Sequence, residues 1–256
     1  MVRPRRRGGV ALDITNPKIA SLAPTWRRHH GVSVLFDNPG TLPAPGVARL
    51  DDIQVTDPAA QRLYDELSAI RASLDRRFHV EHGLCALPRS SFHVTVCDGP
   101  NERHAIASLA ALLDGLPRSL ERLPDDLSVL AHTRLLAAVA RQPVTFTAGQ
   151  LVVRGHVLAA ALSPAGADDA RTVQRISTAR DDLVDALWAR LRLPSQPWRP
   201  HVSLGYFPNR AAARAAGRAL PDRLRTLPAG STSPITFTHA AVYGFTDMAS
   251  YFRLET

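Results

Sequence analysis

Ser91-Phe92-His93-Val94-Thr95-Val96 and Pro200-His201-Val202-Ser203-Leu204 decide the reading of this 256-residue chain. Each runs histidine, apolar, hydroxyl, apolar inside a stretch suited to a β-strand. Side chains alternate faces along a strand, so His93 and Thr95 share one face, with Phe92, Val94 and Val96 on the other. His201 and Ser203 stand together in the same way, opposite Val202 and Leu204. Each strand is expected to give an apolar face to a core and to present an imidazole beside a hydroxyl. For one such strand, a half-buried polar face is the better explanation. Two copies point to an acid and a base arranged around one substrate.

The flanking sequence repeats as well. Residues 31–36 are predicted to form an apolar strand, and the prolines and glycines of 37–57 a loop. Asp57-Pro58 has the form of an N-cap and first helical residue. Leu63, Leu67, Ile70 and Leu74 follow at helical spacing, which predicts a helix over 58–77. A strand near 83–87 precedes the first motif strand, 91–97, which Asp98-Gly99-Pro100 is expected to end. Helices are predicted over 101–114 and, shorter, near 125–141. Strands at 143–147 and 150–153 turn at Arg154-Gly155 and return over 156–162. A helix over 168–193 leads to the second motif strand, 200–206, then a helix over 210–219, a strand over 234–243 and a last hairpin through 251–254. Each half thus reads strand, helix, motif strand, helix. Pro143-Val144-Thr145-Phe146-Thr147 then closes the first half and Pro234-Ile235-Thr236-Phe237-Thr238 the second.

This order predicts an α+β fold: two pseudo-symmetric lobes with antiparallel sheets facing a central cleft and helices outside. Residues 1–28 read as a basic, flexible leader and 29–256 as one bilobed domain. The first motif falls in 29–142 and the second in 143–256.

Composition narrows the setting. A hydrophobic fraction of 45% and a charged fraction of 21% are those of an ordinary globular protein. No run approaches the ~18 apolar residues of a membrane span. The basic start, Met1 to Gly9, is followed by Asp13, Asn16, Pro17 and Lys18 rather than an apolar stretch, so no secretory signal is expected. Cys85 and Cys97 have neither CxxC nor zinc-ligand spacing and fit a reduced cytoplasm; a disulfide between them is allowed but not required. The net charge of +8 favours an anionic partner such as a nucleotide, RNA or a phosphate ester. Lys18 is the only lysine; the arginines are interleaved with acids, as on a solvated surface. His29, His30, His79 and His82 lack a cysteine or carboxylate to complete a metal site, so no metal is expected. There is no Gly-x-Ser-x-Gly elbow and no Gly-x-x-x-x-Gly-Lys loop, so neither a serine hydrolase triad nor ATP use has support.

The paired His-x-Thr/Ser-x motifs in duplicated halves resemble the 2H phosphoesterase superfamily, which includes 2',3'-cyclic phosphodiesterases and the bacterial proteins called 2'-5' RNA ligases. The resemblance runs from residue 30 to 255. It implies a two-lobed α+β fold, no metal or other cofactor, and phosphodiester chemistry on RNA ends or cyclic nucleotides. It also implies that His93 and His201 are the catalytic histidines and that Thr95 and Ser203 bind the phosphate. Tyr206, five residues past His201, is a further substrate-binding candidate, since some members have a tyrosine near the phosphate there. Trp198 is another, able to stack on a base at the cleft edge or to pack between the lobes. The chain is longer than compact members; its leader and the 37–57 and 115–142 segments are expected to shape the cleft rim.

Two imidazoles can activate water on one side of phosphorus and protonate the leaving oxygen on the other. The sequence leaves open which is the base. It also leaves open a non-catalytic RNA or nucleotide binder, and 2'-5' ligation by reversal of cleavage. With both motifs on one chain, a monomer is expected.

Overall fold

The computed structural model describes residues 13–21, 25–42, 49–103, 113, 125–131, 134–191 and 196–254. In chain order, β1 (Ile19–Ser21), β2 (Thr25–Trp26) and β3 (Gly31–Phe36) come first, followed by α1 (Arg62–Ala72), α2 (Arg76–His82), β4 (Cys85–Ala86) and β5 (Thr95–Asn101). Next are α3 (Arg134–Ala140), β6 (Val144–Arg154), β7 (Val157–Pro164), α4 (Ala167–Leu191) and β8 (His201–Tyr206). The chain ends with α5 (Arg210–Ala219), α6 (Asp222–Arg225), β9 (Ile235–Phe237), β10 (Ala240–Phe245) and β11 (Tyr251–Arg253).

Two antiparallel sheets carry the motifs. β3 is buried along its whole length, as Val32, Val34, Leu35 and Phe36 suit, with the polar Ser33 among them. It is central in a sheet of order β11-β10-β3-β5, with the first motif at the β5 edge. The second sheet has the order β4-β8-β7-β6-β9 and carries the second motif on β8. Helix α4 packs on β5, β6, β7 and α3, whereas α5 and α6 pack on β6. The expected α+β class and antiparallel sheets are therefore present.

The repeat is visible in the strand orders. β5-β3-β10-β11 corresponds to β8-β7-β6-β9: motif strand, central strand, then two more. Yet β10 and β11 come from the C-terminus and complete the sheet of the first motif, while β4 comes from the N-terminal half and flanks β8. The halves exchange strands, which a division at 142/143 does not anticipate. The two Pro-x-Thr-Phe-Thr segments pair with each other, Val144 against Phe237, Thr145 against Thr236 and Phe146 against Ile235. The two threonine hydroxyls lie 2.9 Å apart. Like segments pairing antiparallel on themselves are what a local two-fold relation produces.

Several expectations are revised by local chemistry. The 58–77 helix is interrupted: a 3-10 turn over Pro58–Gln61, then α1, then α2. Asp75 starts α2 by accepting from Phe78 N–H at 2.6 Å, and Gly83 at φ 61° ends it. Asp98-Gly99-Pro100 does not end the first motif strand. Opposite β3 the register slips across Gly99, where a Cβ would lie 2.4 Å from the Val32 carbonyl oxygen. Proline without an N–H and glycine without a Cβ suit such a bulge, so pairing continues to Asn101. The strand predicted over 234–243 divides between sheets as β9 and β10. Near 125–141 there is a 3-10 turn over Asp125–Leu130 followed by α3. The helix over 101–114 lies largely outside the described residues. Much of the expected leader is built into the fold: Ile19 is fully buried, and Thr15 and Asn16 N–H groups donate to the Pro208 carbonyl at 3.0 and 2.7 Å. An apolar Ile19 beside the short polar Asn16 can pack and bond at once; residues 1–12 lie outside the described residues.

A polar network holds the first motif from behind. The Asp37 carboxylate accepts from Tyr243 O–H at 2.7 Å and from Arg253 at 3.2 and 3.5 Å. Burial first, and then the neighbouring Asp37 charge, push the Tyr243 phenol upward, so it stays a donor. The adjacent Asn38 donates to the Phe92 carbonyl at 3.2 Å and accepts from Tyr64 O–H at 3.0 Å.

Candidate active site

The alternation read along the motifs holds where the sheets meet. Phe92, Val94 and Val96 are buried, as are Val202 and Leu204. His93, Thr95, His201, Ser203 and Tyr206 line one cleft of about 410 Å³, within the size range of small-molecule sites. The floor of the cleft is the seam between the sheets. Residues 85–87 run antiparallel along β8, and a bridge between Val94 and Val202 then joins the two motifs. Continuing that antiparallel register sets His93 beside Ser203 and Thr95 beside His201. The valine pair lies below in the core and the four polar side chains lie above.

Both histidines are oriented by one device. The His93 Nδ1 lies 2.8 Å from the Ser91 carbonyl oxygen, and the His201 Nδ1 lies 2.8 Å from that of Arg199. A carbonyl only accepts, so each Nδ1 carries the proton and each Nε2 is left for chemistry. The His93 ring packs on Tyr251, with centroids 4.4 Å apart. Although His93 reaches the cleft surface, protein surrounds its ring. Burial pushes the imidazole down to about 4; the Ser91 hydrogen bond opposes this and the His201 ring adds to it. The folded state thus favours neutral His93. Between the unfolded value of ~6.5 and the folded value the unfolded chain binds more protons, so this ring's contribution to stability is present above ~6.5 and lost as pH falls through about 4.

A matched irregularity follows each motif. On β5, Leu35 pairs with Thr95 and Val34 with Cys97; on β8, Ala159 pairs with Ser203 and Leu158 with Gly205. One extra residue, Val96 or Leu204, is therefore inserted three positions after each histidine. Strict alternation would turn the fifth residue after each histidine away from the cleft. The insertion reverses that parity and brings Tyr206 and Asp98 into it. Gly205 permits the β8 bulge, since a Cβ there would lie 2.7 Å from the Cys85 carbonyl oxygen.

Trp198 is not brought into the cleft. Its indole N–H donates to the Thr95 carbonyl at 3.0 Å and its ring lies 6.4 Å from that of Phe36, so it packs and braces the first motif. Arg180, 5% exposed, does similar work, donating to the carbonyls of Val96 at 3.2 Å and Gln196 at 2.7 Å. Both link the first motif to the approach to the second. Asp98, Tyr251 and Lys18 line the cleft but were not singled out as site residues by sequence. The only available signals were the equivalence of Asp98 to Tyr206, five residues after a histidine, and the singularity of Lys18. Cys85 and Cys97 are both buried, and burial pushes their thiols up to about 11 and about 12. Among the described residues, no group of three histidine, cysteine or acidic side chains is placed to hold a metal ion.

The paired His-x-Thr/Ser-x motifs resemble those of the 2H phosphoesterases. No protein-family model matches the chain, and no curated protein matches it. Several solved structures are similar. One is a conserved protein of unknown function from Agrobacterium tumefaciens, 16% identical, covering 91% of this chain and 88% of that chain, TM-score 0.44. Another is E. coli LigT complexed with 3'-AMP, 11% identical, covering 89% and 97%, TM-score 0.46. A third is described as a phosphoesterase, 12% identical, covering 88% and 94%, TM-score 0.41.

Proposed function

We propose that this protein is a metal-independent phosphoesterase that hydrolyses 2',3'-cyclic phosphate or 2'-5' phosphodiester bonds in RNA ends or small nucleotides. The observation that carries the reading is the pair of identically oriented imidazoles in one cleft, each beside a hydroxyl. A binding cleft does not need two titratable rings held in one tautomer.

In this mechanism His93 is the base. Its ring is held neutral, so Nε2 can take a proton from the attacking water as the new P–O bond forms. His201 is the acid and gives an Nε2 proton to the leaving ribose oxygen as the old P–O bond breaks. Thr95 and Ser203 donate to the non-bridging oxygens, where charge redistributes in the transition state. Tyr206, turned inward by its bulge, binds substrate. Both catalytic halves lie on one chain, which fits a monomer. Two buried cysteines without CxxC or zinc-ligand spacing fit a reducing cytoplasm, and no helix among the described residues is long and apolar enough to cross a membrane.

The pH profile follows from this assignment. Activity needs neutral His93, so kcat/KM should rise with pH along an acid limb set by that ring. The midpoint is expected near the ring's value of about 4 rather than the ordinary ~6.5. A profile of the free enzyme's kcat/KM from pH 3.5 upward measures it, and an acid limb at 6.5 or above would reverse the roles of the two rings.

The functional reading is tested by hydrolysis of a panel of nucleoside 2',3'-cyclic phosphates and 2'-5' and 3'-5' dinucleotides, with EDTA present. EDTA-resistant turnover that requires both histidines is the expected result. Tight binding across the panel without turnover would instead favour a nucleotide-binding cleft. Product re-joining at high concentration would reveal 2'-5' ligation by reversal.

A further inference from the structure

The two-histidine scheme leaves a group of positive charges at one mouth of the cleft without a task. Residues 13–18 are fastened to the end of β8. Beyond the two backbone bonds to Pro208, the Asn16 side chain donates to the Phe207 carbonyl at 2.9 Å and the Asn209 side chain donates to the Asp13 carbonyl at 2.6 Å. Asn16 is 2% exposed and its Oδ1 accepts from Lys18 N–H at 3.1 Å. This clamp delivers Lys18 to the cleft, with Nζ 4.9 Å from the centre of the Tyr206 ring. Tyr206 stands at the far end of β8 from His201, so the ammonium sits at the Tyr206 end of the cleft, from where its charge still reaches His93.

From the other sheet, Arg103 lines the same cleft, in a turn fixed by its own N–H donating to Asn101 Oδ1 at 3.0 Å. On the second sheet, the turn from β6 to β7 carries His156, whose carbonyl accepts from Phe207 N–H at 2.7 Å. Arg210 opens α5 nearby. The convergence is felt by the His156 ring, which burial lowers first and which Arg210, Arg103 and Lys18 each lower further. Among the described residues, no carboxylate forms an ion pair with Lys18, Arg103 or Arg210. Asp98 lines the same cleft, but cations that lack a direct ion-pair partner keep their charge for an anionic ligand.

We propose that Lys18 and Arg103 form a second phosphate subsite, so that the substrate is a nucleotide or RNA end carrying a phosphate besides the one between the histidines. The inference rests on the two-histidine reading for the scissile phosphate and adds a substrate class to it. Arg103 offers a planar fork and Lys18 a point charge, a pair that can bracket one phosphate from opposite walls.

The test compares a nucleoside 2',3'-cyclic phosphate with the same compound bearing a 5'-phosphate, in wild type, Lys18→Gln and Arg103→Gln. Wild type is expected to prefer the doubly phosphorylated substrate in kcat/KM. Each substitution should reduce that ratio by about fivefold, the range of a solvent-accessible charge pair. A wild type without preference overturns the proposal. So does a variant that slows both substrates in parallel, because its side chain then serves the scissile phosphate. If wild type turns over neither compound, the phosphoesterase reading fails on its own and calorimetry decides the subsite. Tighter binding of a nucleoside 3',5'-bisphosphate than of the 3'-monophosphate, with the difference lost in Lys18→Gln, upholds it; equal binding sinks it. Far-UV circular dichroism of each variant confirms that the fold is retained.

Discussion

Replacing His93 or His201 by alanine is expected to lower kcat on the best substrate of the panel by about 10²–10⁴-fold, the range for loss of a positioned general acid or base. The physical case is the same for both rings. Each is locked by its Nδ1–H bond to the carbonyl two residues earlier, so the catalytic nitrogen is presented without a search over ring orientations. Removing either ring leaves water without its base or the leaving oxygen without its acid. The double variant should be little slower than the worse single one, because in the proposed mechanism the two rings act together and their losses do not add. Steady-state kinetics of the three variants measure this, with circular dichroism as the check on folding. The His93→Ala variant also loses a packing contact with Tyr251, so a fold check matters most there. Turnover unchanged in either single variant would remove that histidine from the mechanism.

Asp37→Ala should cost about 3 kcal/mol of stability, the scale for stripping one partner from a buried charged network. Asp37 is only 8% exposed, and its carboxylate is the acceptor for both the buried Tyr243 hydroxyl and the Arg253 guanidinium. Alanine leaves the hydroxyl without that acceptor between β3 and β10, and leaves a half-exposed cation without its counter-charge. Asp37→Asn keeps a carbonyl oxygen for Tyr243 and should lose distinctly less. Urea denaturation reads both as a shift in midpoint at constant slope. An alanine variant as stable as wild type would mean that the network is replaceable by solvent. Because Asn38 follows directly and holds the Phe92 carbonyl, Asp37→Ala should also loosen the approach to His93.

The two motif faces of the candidate site were more legible in the sequence than its full membership. His93 with Thr95 and His201 with Ser203 are short-range patterns, and two-residue alternation is enough to put each pair on one strand face. The buried faces of Val94, Val96, Val202 and Leu204 follow from the same alternation. Tyr206 could be named from its spacing but not placed. It reaches the cleft only because an inserted residue reverses the parity of β8, and that insertion is defined by pairing with β7. Asp98 is re-aimed by the matching insertion on β5. Trp198 could face a base or a core, and its hydrogen bond to the Thr95 carbonyl, a contact between residues far apart in the chain, made it a brace.

By itself the sequence determined the α+β class, the duplicated order and the two motif faces, because propensity, alternation and repetition are local properties of a chain. Only the tertiary structure decided which strands share a sheet, since pairing energy depends on partners distant in sequence. It sent β10 and β11 to complete the sheet of the first motif and placed β4 beside the second. It made Val94 and Val202 the seam that brings the motifs together. It also turned an expected leader into a clamp, because Asn16 and Ile19 find their hydrogen-bond partners and their apolar cover only on the folded surface around β8.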